Sequence, residues 1–171
     1  KLNMSVSLLN ELGTKEDSFD CYLYAGNAYE EGIRLSLEKN LPKSMVLSTV
    51  KRAIWSYTKA DRTDLALQVL DKVLLSTGDE SNQELGELKG LLLITTLKLD
   101  QSQEFFDKSE NKEMYLKIIE QTKKVDISRL ESMIANARIA NTIEPLQLVI
   151  IEQHLKNITE TVGAAYAEIE Q

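Results

Sequence analysis

Apolar positions recur along this chain at steps of three and four, the spacing that lines one side of an α-helix, in seven stretches divided by polar or turn-forming residues. The first predicted helix runs from Ser18 to Asn40, with Asp17 or Ser18 as cap and Tyr22, Ala25, Tyr29, Ile33 and Leu37 on one face. Asn40-Leu41-Pro42 ends it, because proline disfavours helical backbone in the residue before it. The second spans Lys43 to Ala60, with Pro42 near its first turn. The third spans Asp64 to Ser76 behind Thr63 or Asp64 as cap, and Gly78 in Thr77-Gly78-Asp79 suits a left-handed C-cap.

The fourth stretch, from Asn82 to Leu99, is apolar nearly all round, which predicts a buried central helix. Its rival is a strand, but a lone strand has no pairing partner. A fifth helix is predicted from Gln103 to Lys124, a sixth from about Ile127 to Asn141 behind Asp126, and a seventh from about Glu144 to Glu170 with Pro145 in its first turn. In the seventh, Leu148, Ile151, Leu155, Ile158, Val162, Ala165 and Ile169 alternate steps of three and four, a heptad seam. That seam reads either as a core-facing stripe or as an association surface for a second copy or another helix.

Composition supports the helical reading. Two prolines and seven glycines are too few turn residues for a strand-rich chain of 171 residues. The predicted fold is all-α, an irregular array of about seven antiparallel helices. It forms one domain over 18–171 behind a tail at 1–17, and Lys1-Leu2-Asn3 ahead of Met4 reads as native sequence or as a remnant of cloning. A net charge of −7 disfavours nucleic acid and anionic membrane as partners. The longest apolar run, Leu91 to Ile94, is far short of a membrane span. Cys21 is the only cysteine, which excludes an intrachain disulfide and a thiolate metal cluster and makes a reducing, cytoplasmic setting the expectation.

Catalytic constellations find little support. The lone histidine, His154, is expected at the surface or on a rim, and nothing local pairs it with Cys21 as base and nucleophile. Glu152 and His154 stand two apart, on different faces of a helix, and the ligand spacing of di-iron bundles is absent. Glu30-Glu31 and Asp79-Glu80 read as solvated charge. Gly86 and Gly90 sit inside a helical pattern rather than a phosphate loop, where they allow close helix packing. Phe105, Phe106 and Tyr115 read as core. No catalytic residue, metal site or cofactor is expected.

The charge distribution is more telling. Segment 43–62 holds Lys43, Lys51, Arg52, Lys59 and Arg62 against Asp61 alone, a local +4 in an acidic chain, and it contains the only tryptophan. If Val46, Val50, Ala53, Ile54 and Tyr57 are buried, then Lys51, Arg52, Trp55, Thr58 and Lys59 lie on the other side. Trp and Arg are enriched where proteins bind one another, so these five are the candidate partner-binding residues. The alternative is that Trp55 packs into the core and the cations form a solvated face.

Residues 47–80 form a predicted helical hairpin that resembles a tetratricopeptide repeat. The resemblance rests on Val50, Ala53, Ile54 and Tyr57 in its first helix, Ala66, Leu70 and Val73 in its second, and Ala60-Asp61-Arg62 at the turn. It departs from the family at Ile54, where glycine is preferred and wider packing is implied, at Val73, where alanine is preferred, and at Gly78, where proline is preferred. Tyr22-x-x-Ala25-Gly26-x-x-Tyr29 echoes the first-helix motif without a matching second helix. The resemblance implies an interaction module whose concave side is lined at Lys51, Trp55, Thr58 and Lys59. Trp55 stands where the family's carboxylate clamp uses asparagine, so it implies an acidic or amphipathic protein segment rather than a clamped terminus. The second reading is an assembly subunit that packs through Leu148, Ile151, Leu155, Ile158, Val162 and Ile169, in a homo- or hetero-oligomer.

Overall fold

The computed structural model describes residues 15–78 and 82–170, which form eight α-helices, one 3-10 turn and their connections, with no strand among them. The chain is all-α. Its contacts divide it into two compact units, Lys1–Ser81 and Asn82–Gln171, where the sequence reading has one domain over 18–171. The expected tail falls largely outside the described residues, and the first helix already begins at Lys15.

The first unit holds α1 (Lys15–Glu38), α2 (Lys43–Lys59) and α3 (Thr63–Thr77). Helix α2 packs against both neighbours. Its buried set is therefore wider than a single stripe: Val46, Val50, Ala53, Ile54 and Tyr57 are joined by Ser56 and Thr58. The approach of α1 to α2 depends on Gly26, because a Cβ there would lie 2.5 Å from Cε1 of Tyr57. Gly78 closes α3 at φ 62, the left-handed geometry that glycine adopts without steric cost.

The second unit contains α4 (Gln83–Thr95), α5 (Leu99–Ser102), the 3-10 turn Gln103–Phe106, α6 (Lys112–Lys123), α7 (Ile127–Ala140) and α8 (Pro145–Ile169). Helix α4 is central, packed against α5, the 3-10 turn and α8, and it buries Leu85, Leu88 and the whole run from Gly90 to Thr95. Its N-terminus is capped by Asn82, whose Oδ1 accepts from the amides of Glu84 and Leu85. Asp126 caps α7 by accepting from the Arg129 amide at 3.1 Å.

The predicted fifth helix over 103–124 is broken. Nine residues at 100° each would set Phe106 and Tyr115 on opposite faces of an unbroken helix. The 3-10 turn and the polar connection at 107–111 bring both rings into one core, fully buried, with centroids 4.8 Å apart. Phe106 lies directly on α4, where a Cβ on Gly90 would come within 2.7 Å of its ring.

Five helices end the same way. The amides of Leu41, Arg62, Lys98, Asp126 and Thr142 donate to carbonyls five residues back, and the residue before each has positive φ. Three of those residues are Asn40, Asp61 and Asn141, which tolerate that conformation; Leu97 and Val125 do not do so readily.

Helix α8 faces its core with Gln147, Ile150, Ile151, His154 and Ile158. The predicted seam is split by this rotation. Ile151 and Ile158 are core, Leu148, Leu155 and Val162 are half-buried, and Ala165 and Ile169 are exposed. Between Thr159 and Ile169 only Val162 is even partly covered.

Candidate partner-binding face

The five residues singled out on α2 part company in the structure. Arg52 is exposed, and Lys51, Trp55 and Lys59 are half-buried. Thr58 is a correction: it is wholly buried and its Oγ1 has no hydrogen-bond partner, so it cannot meet another protein. Packing of α2 on both α1 and α3 buries more of its circumference than the single predicted stripe.

Trp55 is neither free nor sunk in the core. Its ring meets Tyr22 of α1 edge-on, with centroids 5.3 Å apart and planes at 79°, and packs against the cluster of Tyr22, Ala25 and Ala60. Such edge-to-face pairs contribute about 0.5–1.5 kcal/mol beyond burial and fix the ring's orientation. Lys59 Nζ lies 5.9 Å from the indole centroid, at the outer reach of a cation–π contact. The indole therefore has one side against α1 and a remaining surface bordered by Lys59. No acidic residue lies on α2, whose other exposed positions include Lys43, Met45 and Ser48.

A second feature of this unit has no signature in the sequence. Helices α1 and α3 border a groove of about 420 Å³. Its floor is aliphatic, from Ile33, Leu37, Val69 and Val73, and its rim carries Glu30, Glu31, Arg34 and Lys72. The rim charges are already matched. Lys72 Nζ sits 3.0 Å from Glu30 Oε1, and Arg34 Nε donates to Glu31 at 2.9 Å while also pairing with Glu38. Behind Glu30, the Tyr57 hydroxyl lies 2.7 Å from its Oε2 and 2.8 Å from Asn27 Oδ1. One hydroxyl hydrogen serves one acceptor, and the charged carboxylate is the stronger. Burial works against ionisation of Glu30, but the Tyr57 hydroxyl and Lys72 outweigh it and hold the carboxyl below its ordinary value. Burial, reinforced by Glu30, pushes the Tyr57 hydroxyl well up. A groove with a neutralised rim offers an aliphatic surface and little charge selectivity.

His154 is also a correction. It is 1% exposed rather than at a rim, because the core stripe of α8 runs through it. Its Nε2 lies 2.9 Å from Thr122 Oγ1, and Thr122 already donates to the Ile118 carbonyl at 2.8 Å. The imidazole must then donate through Nε2, leaving Nδ1 as a buried acceptor without a partner. Burial depresses its pKa to about 4. Among the described residues no group of three acidic, histidine or cysteine side chains is placed to hold a metal ion, and no helix is long and apolar enough to cross a membrane.

No protein-family model, curated protein or solved structure matches this chain.

Proposed function

We propose that this chain is a non-catalytic interaction module that binds an acidic or amphipathic protein segment along the exposed side of α2. The observation that carries this reading is the conjunction on one helix of Lys43, Lys51, Arg52 and Lys59, no acidic residue, and an indole with accessible surface. An acidic segment would gain charge attraction from the cations and apolar contact from the Trp55 ring, whose fixed orientation lowers the entropy lost on binding. The likeness of residues 47–80 to a tetratricopeptide hairpin is part of the same reading. The lone Cys21 thiol fits a reducing setting, and the cytoplasm is the proposed location.

Trp55 is the only tryptophan, so its fluorescence reports on this face without labelling. Iodide should quench it more strongly than caesium, because cations around the ring concentrate the anion. An amphipathic peptide rich in glutamate should shift its emission saturably and bind more weakly as salt shortens the Debye length, about 8 Å at physiological ionic strength. Lys51→Glu with Arg52→Glu should leave the far-ultraviolet circular dichroism unchanged and weaken the peptide about tenfold, equivalent to roughly 1.4 kcal/mol. Indifference of the peptide titration to both salt and these substitutions defeats the proposal.

A further inference from the structure

Beyond Ile158, helix α8 leaves its core. Residues from Thr159 to Ile169 continue the helix for about 16 Å at 1.5 Å per residue. Tyr166 is 65% exposed and Ile169 80% exposed, and a Cβ added at Gly163 would meet nothing within 4 Å. Val162, Ala165 and Ile169 continue an apolar face at helical spacing, and Glu160, Glu168 and Glu170 supply its only charges. A regular helix whose side chains are exposed this far among the described residues presents an acidic, amphipathic segment.

That is the chemistry for which α2 is fitted. On α2, Met45, Ser48, Arg52, Trp55 and Lys59 follow one another at steps of three and four. Met45 is 54% exposed, Arg52 exposed, and the Trp55 and Lys59 side chains half-exposed. The stripe extends over about 21 Å of helix, enough to receive the overhang along its length. Apolar positions would meet Met45 and Trp55, and the glutamates would meet Arg52 and Lys59. Two copies of the overhang, by contrast, have no cation with which to neutralise each other's glutamates.

We infer that the C-terminal part of α8 docks on the basic α2 face of a second copy of this chain. The inference rests on the reading of α2 as a binding face and names the partner. The contact is heterologous: a copy that lends its overhang keeps its own α2 face open, so association proceeds head to tail into a ring or a chain of copies.

The test is light scattering of the full chain across a range of concentrations, at low ionic strength and again near 1 M salt, where the Debye length is about 3 Å. Mass should rise above the 19.3 kDa of one copy as concentration increases, and fall back in high salt. Arg52→Glu with Lys59→Glu should weaken association at least tenfold, and so should Glu160→Lys with Glu168→Lys. Arg52, Glu160 and Glu168 are exposed and Lys59 is half-buried, and far-ultraviolet circular dichroism should confirm the helices in each variant. The chain carrying both pairs of reversals should associate again to within a few-fold of the original. A mass of one copy at every concentration overturns the inference, as does association that ignores the reversals or is not restored by combining them. If association fails while Trp55 still responds to an acidic peptide, this inference falls and the proposed function stands. If Trp55 ignores the peptide while the reversal pattern holds, α2 is a binding face selective for this chain's own overhang, and only the wider choice of acidic segments falls.

Discussion

At the scale of single residues, the fold turns on places where one atom decides the packing. At Gly26 two effects oppose each other. Alanine favours helix over glycine by roughly 1 kcal/mol, but its Cβ would lie 2.5 Å from a ring that is fully buried and tied at its hydroxyl to Glu30. Overpacking of this kind costs about 1–3 kcal/mol, and displacing the ring also strains a charge-assisted hydrogen bond worth a further 1.5–3 kcal/mol or so. The clash wins, and Gly26→Ala is expected to destabilise the protein by about 2 kcal/mol in urea denaturation. His154 sets a pH dependence. With its folded pKa near 4 against an ordinary 6.5, the unfolded chain binds the extra proton between those values. Stability should therefore rise with pH across that window, and fall as pH drops from 6.5 to 4. The full difference is about 3 kcal/mol at 1.36 kcal/mol per pH unit. The stability of the native chain minus that of His154→Gln, each from urea melts, should shrink over that interval. Carboxylates held low by partners, such as Glu30 and Asp64, affect both proteins alike and cancel.

At the scale of elements, α8 separates two roles that its sequence joins. Ile158 is 9% exposed and part of the core, whereas Ile169 is 80% exposed. Ile158→Lys should cost more than about 3 kcal/mol and lower the thermal midpoint sharply, while Ile169→Lys should stay within about 0.5 kcal/mol of the native chain. Equal effects would mean that the overhang is covered. The same helix shows what periodicity conveys. A helix and its apolar positions are legible from steps of three and four, and Asp126, Pro145 and Gly78 mark ends that the structure reproduces to within a residue or two. Rotation about the helix axis is less legible, because Leu148 and Leu155 score as well as Ile150 and His154 until neighbouring helices fix which side is inward. Where an end is set by backbone geometry alone, as at Leu97, no residue announces it. The break between α5 and α6 is hidden for a similar reason: it is driven by the need to seat Phe106 on Gly90 and against Tyr115, a contact between distant positions. On α2, cation and indole placement was legible, but the burial of Thr58 and the α1–α3 groove required knowing that α2 has neighbours on two sides.

At the scale of the whole molecule, the two units repeat one packing device. In the first, Gly26 admits the ring of Tyr57, whose hydroxyl meets Glu30 one turn along the same helix. In the second, Gly90 admits Phe106, and the neighbouring Tyr115 donates to Glu87 of that helix at 2.6 Å. Each device is internal to its unit. Units that satisfy their own buried tyrosine hydroxyls and bury their own aromatic rings have what independent folding requires, although chains of this size are only marginally stable alone. Expressed separately, residues 1–81 and 82–171 should each show a helical far-ultraviolet spectrum and a cooperative thermal transition. The second should melt at the higher temperature, because α4 gives it an apolar helix buried on nearly every side. Gly26→Ala should then lower the transition of the first fragment only, and His154→Gln should alter the pH dependence of the second only. A fragment without a cooperative transition would mean that its core draws stability from the rest of the chain.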